Sequence, residues 1–536
     1  MKLPDIRTLP AAATDAAAAA AVLARSGMIA PFVPRPELFK LLARAPFKEP
    51  NMGSAVAIHA ALRPTAAAVI DEAGVVTWAE LIERTRRLAN ALLEVAEPGD
   101  RVAFMLRNGR ENVECYAACG LAGVAAVPVN TWSSRDEVQH IVDSQGTVLI
   151  IADREFAVAV EGTGPDVWWV GEDGDYEALL AAADAAAPPV RGGSRIVTHT
   201  SGTTGKPKGA ERNSAGVGAL TSFIGFLEKV PLHRNDVFFI VPPLFHQFAQ
   251  GMMASALILG NTIVLRRRFD AEEFLQTAIA ENVTAAALLP VMLKRIADLD
   301  ADVEVPQLRL AVVSGSALPE ALRKRAEERL GRVFYDLYGS TEAGFATIST
   351  PQDQRRKPDS VGTPGRGSQV LIVGEDGSVL GPEEIGSIRV ASSLAFEGYT
   401  GLDEGLPKDG AVDIGDVGYL DEDGYLFVTG RNDDMIVSGG ENIFPSEVEG
   451  VLEDHPDLAD CAVVGVDDEE FGQVLHAFVV TGKGKDVSED DVASFVSSRL
   501  ARYKTPKRVT FLDELPRNAA GKVLKSELQD SGEDDD

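Results

Sequence analysis

The sequence predicts an α/β fold: a large N-terminal region of stacked βα sheets plus a small β-barrel, then a small α+β C-terminal domain. Three observations carry this expectation. From Thr77 to Leu330, short apolar runs of strand character alternate with segments of helical period, the signature of largely parallel sheets covered by helices. After about Pro358, glycine-rich turns separate short strands, as in a small antiparallel barrel. Near Arg431 the pattern changes again, and two or three helices follow among several short strands. A chain of 536 residues is also too long for a single core.

Taken in order, the Ala-rich stretch 11–24 has the outline of a signal peptide. Asp15 interrupts it and Asp5 sits in its flank, so a helix is the better assignment. Thr77-Trp-Ala-Glu80 reads as a capping box opening a helix to about Val95, with Leu81, Leu88 and Leu92 on one face. Pro98-Gly99-Asp100 ends that helix. Strands 101–106, 125–129 and 147–151 then alternate with helices 111–123 and 134–144. The unit continues through strands 237–241, 261–265, 284–289 and 309–313, with helices 270–281, 291–299 and 319–330. The expected domains are a helical extension (1–50), a large N-terminal domain (51–432), a C-terminal domain (433–530) and an acidic disordered tail (531–536). There is no internal repeat.

Composition excludes several function classes. With 45% hydrophobic residues and no apolar run long enough to span a bilayer, the chain reads as soluble and cytoplasmic. Its net charge of −30 disfavours nucleic acid and anionic lipid surfaces. Cys115, Cys119 and Cys461 make neither a disulfide framework nor a zinc site. The seven histidines lack metal-ligand spacing, and no Gly-x-Ser-x-Gly is present. Homodimer formation and transient membrane contact stay open.

The stretch Thr198 to Gly209 organises the chain. It follows Ile196-Val197 and precedes a helix-like segment from Ser214, so it reads as a strand-to-helix loop. Gly202, Gly205 and Gly209 free its backbone to turn N–H groups toward an anion. Thr200, Ser201, Thr203 and Thr204 add hydroxyls, and Lys206 and Lys208 add charge. Such a loop suits a polyphosphate, although its spacing is not that of the P-loop. A Gly/Ser/Thr run alone would read as linker; the ordered lysines argue otherwise.

In Tyr335–Gly344 a strand runs into a glycine turn at a sheet edge. Tyr338 is placed to stack on a base, Thr341 to donate to a phosphate, and Glu342 to hold Mg²⁺. The bland reading is an ordinary strand-end turn. Asp413–Arg431 holds two strands around an Asp-Gly turn, hence a hairpin over 417–428. Lys522 follows Leu515-Pro-Arg-Asn-Ala-Ala-Gly, where a lysine beside a turn is usually solvated.

These motifs, in this order, resemble those of the adenylate-forming superfamily (acyl-CoA synthetases, adenylation domains and luciferases) over roughly residues 50–528. The resemblance implies ATP, Mg²⁺ and coenzyme A as ligands. It implies a nucleotide site formed by Thr200–Gly205, Lys206, Lys208, Gly315, Ser316, Ala317, Asp336, Tyr338, Gly339 and Thr341. Asp416 and Arg431 would clasp the ribose, and Thr200 and Glu342 would serve the metal. Asp336 departs from the pattern, since relatives usually carry an amide there that reads adenine. Asp433 matches the hinge of a mobile C-terminal domain, Gly439 and Gly440 a pantetheine tunnel, and Phe471 an aromatic against the coenzyme A adenine. Lys522 matches the adenylation lysine, which stabilises charge between carboxylate and α-phosphate.

Pro243–Gly251, Leu289–Met292 and Gly439–Asn442 look most like bacterial fatty-acid CoA ligases. That likeness makes Phe245, His246, Phe248, Gly251 and Val291 the acyl pocket, with His246 as its gate. The expected reaction is attack of a medium- or long-chain fatty carboxylate on Mg·ATP, giving acyl-AMP and pyrophosphate, then displacement of AMP by coenzyme A. The alternatives are an adenylation enzyme loading a short-chain or aryl acid onto coenzyme A or a carrier protein, a luciferase-like oxygenase, and an inactive nucleotide-binding protein. The last would have lost Lys522 or Glu342, and both are present.

Overall fold

Two large sheets share one layer of helices. The computed structural model describes residues 13–28, 51–188, 195–200, 208–213, 217–300, 303–392, 398–399, 410–432, 434–438, 441–468, 471–518 and 521–533. The first sheet has nine strands. In spatial order they are Thr363–Pro364, Gly344–Ser349, Phe334–Ser340, Leu310–Val313, Ala285–Leu288, Val237–Ile240, Thr262–Val264, Ala67–Asp71 and Gly74–Thr77. Its inner pairs are parallel and its edges antiparallel. The second sheet runs Gly398–Tyr399, Lys208–Asn213, Arg195–Thr200, Ala125–Pro128, Arg101–Met105, Thr147–Asp153 and Asp166–Val170.

The helix Trp78–Val95 begins as its sequence dictates. Thr77 Oγ1 accepts from the Glu80 amide, and Glu80 Oε2 accepts from the Thr77 amide at 2.8 Å. Its leucines 81, 88 and 92 are fully buried. They meet Cys115 and Cys119 of the helix Arg110–Ala122 and Phe238 and Ile240 of the first sheet in one continuous cluster. Both cysteines are core packing, as their spacing indicates. The N-terminal helix Ala13–Arg25 docks through Arg25, whose Nη2 donates to the Leu227 carbonyl at 2.7 Å.

Three expectations are corrected. The Thr198–Gly209 stretch does not run from strand to helix. Arg195–Thr200 already includes Thr198, His199 and Thr200, and Lys208–Asn213 returns antiparallel beside it before the helix Val217–Lys229. Among the described residues the glycine-punctuated region does not close into a barrel. Its described residues form an open four-stranded sheet, Ser368–Val373, Gly386–Ser392, Ala411–Leu420 and Leu426–Arg431. The expected tail begins inside a helix, since Lys525–Glu533 continues past Ser531.

The smaller C-terminal domain is built on two long antiparallel strands, Leu458–Asp468 and Gly472–Thr481, rather than on short ones. Arg508–Phe511 adds a parallel strand beside the latter. Helix Pro445–Glu453 packs across this sheet, and its Glu449 Oε1 accepts from the Val463 amide at 2.8 Å. Among the described residues no helix is long and apolar enough to cross a membrane.

Candidate active site

Strand ends and turns from both domains converge on one cleft. In the first sheet, Phe334–Ser340 turns through Thr341 and Glu342 into Gly344–Ser349. The turn is so tight that a Cβ on Gly339 would lie 2.0 Å from the Gly344 carbonyl oxygen, so only glycine fits there. Beside it, Leu310–Val313 ends at Ser314, whose hydroxyl donates to the Leu337 carbonyl at 2.7 Å. Gly315, Ser316 and Ala317 follow as exposed residues, with Gly315 at φ +103°. All these groups therefore sit beyond the carboxyl ends of parallel strands, where ligands bind in open α/β sheets.

The predicted Asp-Gly hairpin is present, and its register pairs Asp416 directly with Arg431. Arg431 Nη1 lies 4.0 Å from Asp416 Oδ1. Gly415, at φ +77°, lets the guanidinium approach, since a Cβ there would lie 3.0 Å from Nη2. The Tyr338 hydroxyl donates to Asp416 Oδ2, linking the sheet turn to the hairpin. Burial, then the Asp416 charge and this hydrogen bond, hold the Tyr338 phenol well above its usual range. Asp336 neighbours Val313 and Ser349 across the sheet. Burial pushes its carboxyl up to about 7, against a lowering pull from Arg323.

Lys522 reaches this cleft from the C-terminal domain. Its loop is a tight turn in which the Asn518 amide donates to the Lys522 carbonyl at 2.9 Å and Asn518 Oδ1 accepts from the Lys522 amide at 3.0 Å. Lys522 is solvent-accessible yet crowded by protein. That crowding, then the Arg431 charge, lowers its pKa, while Asp416 and Glu342 oppose the shift. The ammonium thus stands within electrostatic reach of three predicted site residues on two other elements. It acts on a fourth, since burial and then Lys522 bring the His246 imidazole down to about 4. His246 precedes the helix Gln247–Leu259 and lies 4.4 Å, ring to ring, from Phe245. Its Nε2 is buried without a hydrogen-bond partner.

Three buried polar side chains that the sequence did not single out fix the loop before His246. Asn108 Nδ2 donates to the Pro242 carbonyl at 3.0 Å, and Asn108 Oδ1 accepts from the Leu244 amide at 2.8 Å. Tyr116 donates to the Leu244 carbonyl, and Gln250 Nε2 donates to the Phe245 carbonyl, each at 2.8 Å. Gln250 Oε1 also accepts from Thr198, which joins this loop to the strand entering the phosphate-loop candidate. The only sequence signal was an amide or phenol in an apolar setting.

Not every predicted residue joins the cleft. Phe245 is buried, and Phe248 packs against both large hydrophobic clusters. Val291 packs under Gly521 of the C-terminal domain, where a Cβ would lie 2.4 Å from Val291 Cγ1. Gly251 is exposed, and a Cβ added there would meet nothing within 4 Å. Phe471 carries the Lys507 ammonium 3.5 Å from its ring centroid. Ser201, Gly202, Thr203, Thr204, Gly205, Lys206, Asp433, Gly439 and Gly440 lie outside the described residues, and of Thr200 and Lys208 only the backbone is described.

Residues 56–400 match the family model of the AMP-binding enzyme, and residues 447–522 match the AMP-binding enzyme C-terminal domain. The chain belongs to this adenylate-forming family. It is 32% identical to the fatty acid–[acyl-carrier-protein] ligase of Streptomyces coeruleorubidus over 88% of this chain and 94% of that protein. It is 34% identical to a feruloyl-CoA synthase of an Amycolatopsis species over 89% and 98%. The structure of the Bacillus subtilis o-succinylbenzoate CoA synthetase with its acyl-adenylate superimposes with a TM-score of 0.80 and 30% identity, over 90% of this chain and 98% of that one. The protein is accordingly an AMP-forming acid–thiol ligase, of a family that uses ATP and coenzyme A as substrates.

Proposed function

We propose that this ligase activates an apolar monocarboxylic acid, a medium- or long-chain fatty acid first, as acyl-AMP and passes it to coenzyme A. The supporting observation is the position of Lys522 beside Glu342, Asp416 and Arg431. An anionic carboxylate and an anionic α-phosphate repel each other, so the first step needs local positive charge in a chain of net charge −30. Lys522 supplies that charge where it develops. Asp416 accepts from the ribose and Arg431 donates to it, while Tyr338 stacks on the base and braces Asp416. No side chain acts as a nucleophile.

Among the described residues no cluster of three His, Cys, Asp or Glu side chains is placed to hold a metal. The single carboxylate of Glu342 fits Mg²⁺, which typically combines one or two carboxylates with substrate phosphates. Bound there with Thr200, the ion would neutralise phosphate charge. Residues 433–530 act as a mobile domain hinged at Asp433, with Gly439, Gly440 and Phe471 serving coenzyme A.

The fatty-acid reading rests on the likeness to the acyl-carrier-protein ligase and on the open space beside Gly251. An aryl acid is the second reading, favoured by the feruloyl-CoA relative and by the core packing of Phe245 and Phe248. Pyrophosphate release and thioester formation, measured from acetate to palmitate with benzoate and ferulate alongside, decide between them. Each buried methylene contributes about 0.8 kcal/mol, so kcat/KM climbs with chain length until the pocket is full. A maximum at acetate or a preference for an aryl acid overturns the first reading. Lys522→Ala should abolish pyrophosphate release yet spare thioester formation from supplied acyl-AMP; equal loss of both steps removes Lys522 from its role.

A further inference from the structure

The helix Pro290–Ala297 of the large N-terminal region presents one face to the C-terminal domain. Val291 and Lys294, three residues apart, lie on that face. Val291 packs against Gly521, and Lys294 Nζ lies 3.1 Å from Asp460 Oδ2 on the C-terminal strand Leu458–Asp468. Asp460 is held a second time, by Arg517 Nη2 at 2.9 and 3.0 Å to its two oxygens. The other end of the same guanidinium, Nη1, donates to the Gly521 carbonyl at 2.6 Å. Gly521 is the residue immediately before Lys522. An unbroken polar path therefore runs from the large region through Asp460 and Arg517 to the backbone that carries the ammonium. Lys294, Asp460 and Arg517 are all only about a quarter exposed, with side-chain exposures of 23%, 24% and 27%. Within the loop, the Gly521 amide donates to the Asn518 carbonyl at 2.8 Å and the Leu524 amide to the Pro516 carbonyl at 2.9 Å.

We infer that Lys294 and Arg517, joined through Asp460, are positioning residues that set Lys522 in the cleft for acyl-adenylate formation. This rests on the reading of Lys522 as the adenylation lysine. Neither residue touches the reacting atoms. Lys294 grips Asp460 only while the two domains are docked as described, whereas Arg517 braces the turn within its own domain. Removing Lys294 therefore loosens the docked arrangement without disturbing the C-terminal fold.

The test compares wild type with Lys294→Ala, Lys294→Arg and Lys522→Ala, using the acid that gives most pyrophosphate in the screen above. Two half-reactions are read: pyrophosphate release from ATP and acid, and thioester formation from supplied acyl-AMP. Hydrogen exchange of the 517–523 amides, which needs no acid, is read alongside. Lys294→Ala should slow pyrophosphate release about three- to tenfold, as loss of one half-buried ion pair predicts. It should leave thioester formation unchanged and speed exchange in 517–523, with Lys294→Arg restoring both. A fall shared equally by both half-reactions would make Lys294 a general structural residue and overturn the inference. So would unchanged pyrophosphate release with unchanged exchange. If Lys522→Ala leaves pyrophosphate release intact, the reading of Lys522 itself fails, and the exchange measurement alone then reports whether Lys294 fastens the loop.

Discussion

The Tyr338 hydroxyl donates to Asp416 Oδ2 across 78 residues of sequence, so the tyrosine proposed for the base and the carboxylate proposed for the ribose are one unit. Tyr338→Phe keeps the aromatic face and removes only the tether. A hydrogen bond to a charged acceptor contributes about 1.5–3 kcal/mol, and under the proposed ribose role part of that is recovered when ATP binds Asp416. KM for ATP should therefore rise several-fold with kcat little changed, the pattern of lost uniform binding. A fall in kcat at unchanged KM would place Tyr338 in the transition state instead.

Asp336, expected from the family resemblance to face the adenine, has its carboxyl raised to about 7 by burial. The anion accepts a hydrogen bond from an amine more strongly than the neutral acid does. KM for ATP should therefore fall as pH rises through 7. Asp336→Asn should flatten that dependence between pH 6 and 8, measured by initial rates at saturating acid. A variant that keeps the wild-type profile excludes Asp336 as its source.

Glu114 is fully buried and held by Arg84 Nε at 2.6 Å and by the Tyr176 hydroxyl at 2.8 Å. Arg84→Met leaves a buried carboxylate without its cation, which costs about 3–5 kcal/mol. The double variant Arg84→Met, Glu114→Gln should recover much of it. Urea unfolding measures both, and equal stability of the single and double variants would contradict the burial argument.

Acid should weaken the fold through three histidines. Burial lowers His59, His199 and His246 each to about 4. Between pH 6.5 and 4 the unfolded chain binds protons that the folded chain refuses, so stability falls as pH falls through that window. Each histidine contributes at most about 1.4 kcal/mol per pH unit there. His199→Phe should make the decline of unfolding free energy from pH 6.5 to 5 shallower, and an unchanged slope would show that His199 titrates normally.

Much of this architecture was legible because it is local. The Thr77–Glu80 box, the strand and helix alternation and the Asp416–Arg431 hairpin are each written in a few adjacent residues. What escaped depends on partners distant in sequence. Lys208–Asn213, Lys-Gly-Ala-Glu-Arg-Asn, has little strand propensity and becomes a strand because Arg195–Thr200 lies beside it. Glycine spacing after Pro358 marked the turns but not whether the sheet closes, which is set by stagger and strand number. Asn108 braces the His246 loop from 136 residues away, and no sequence pattern announces such a pairing.

Gly251 offers the sharpest test of the acyl reading. It lies inside the helix Gln247–Leu259, where glycine costs about 0.5–1 kcal/mol relative to alanine. Its neighbours Gln250 and Met252 are buried, whereas Gly251 is exposed and an added Cβ would meet nothing within 4 Å. Neither packing nor backbone geometry therefore demands a glycine. Gly251→Ala should be tolerated, stabilising the fold by up to about 1 kcal/mol in urea unfolding. Gly251→Phe should fold as well, because the space is open, but it should fill the volume a chain would occupy. Under the fatty-acid proposal, kcat/KM for decanoate and palmitate then falls at least tenfold while acetate is spared, since only the longer chains extend past the reacting carboxylate. If all three acids respond alike, the open space beside Gly251 is ordinary surface and the acyl chain runs elsewhere.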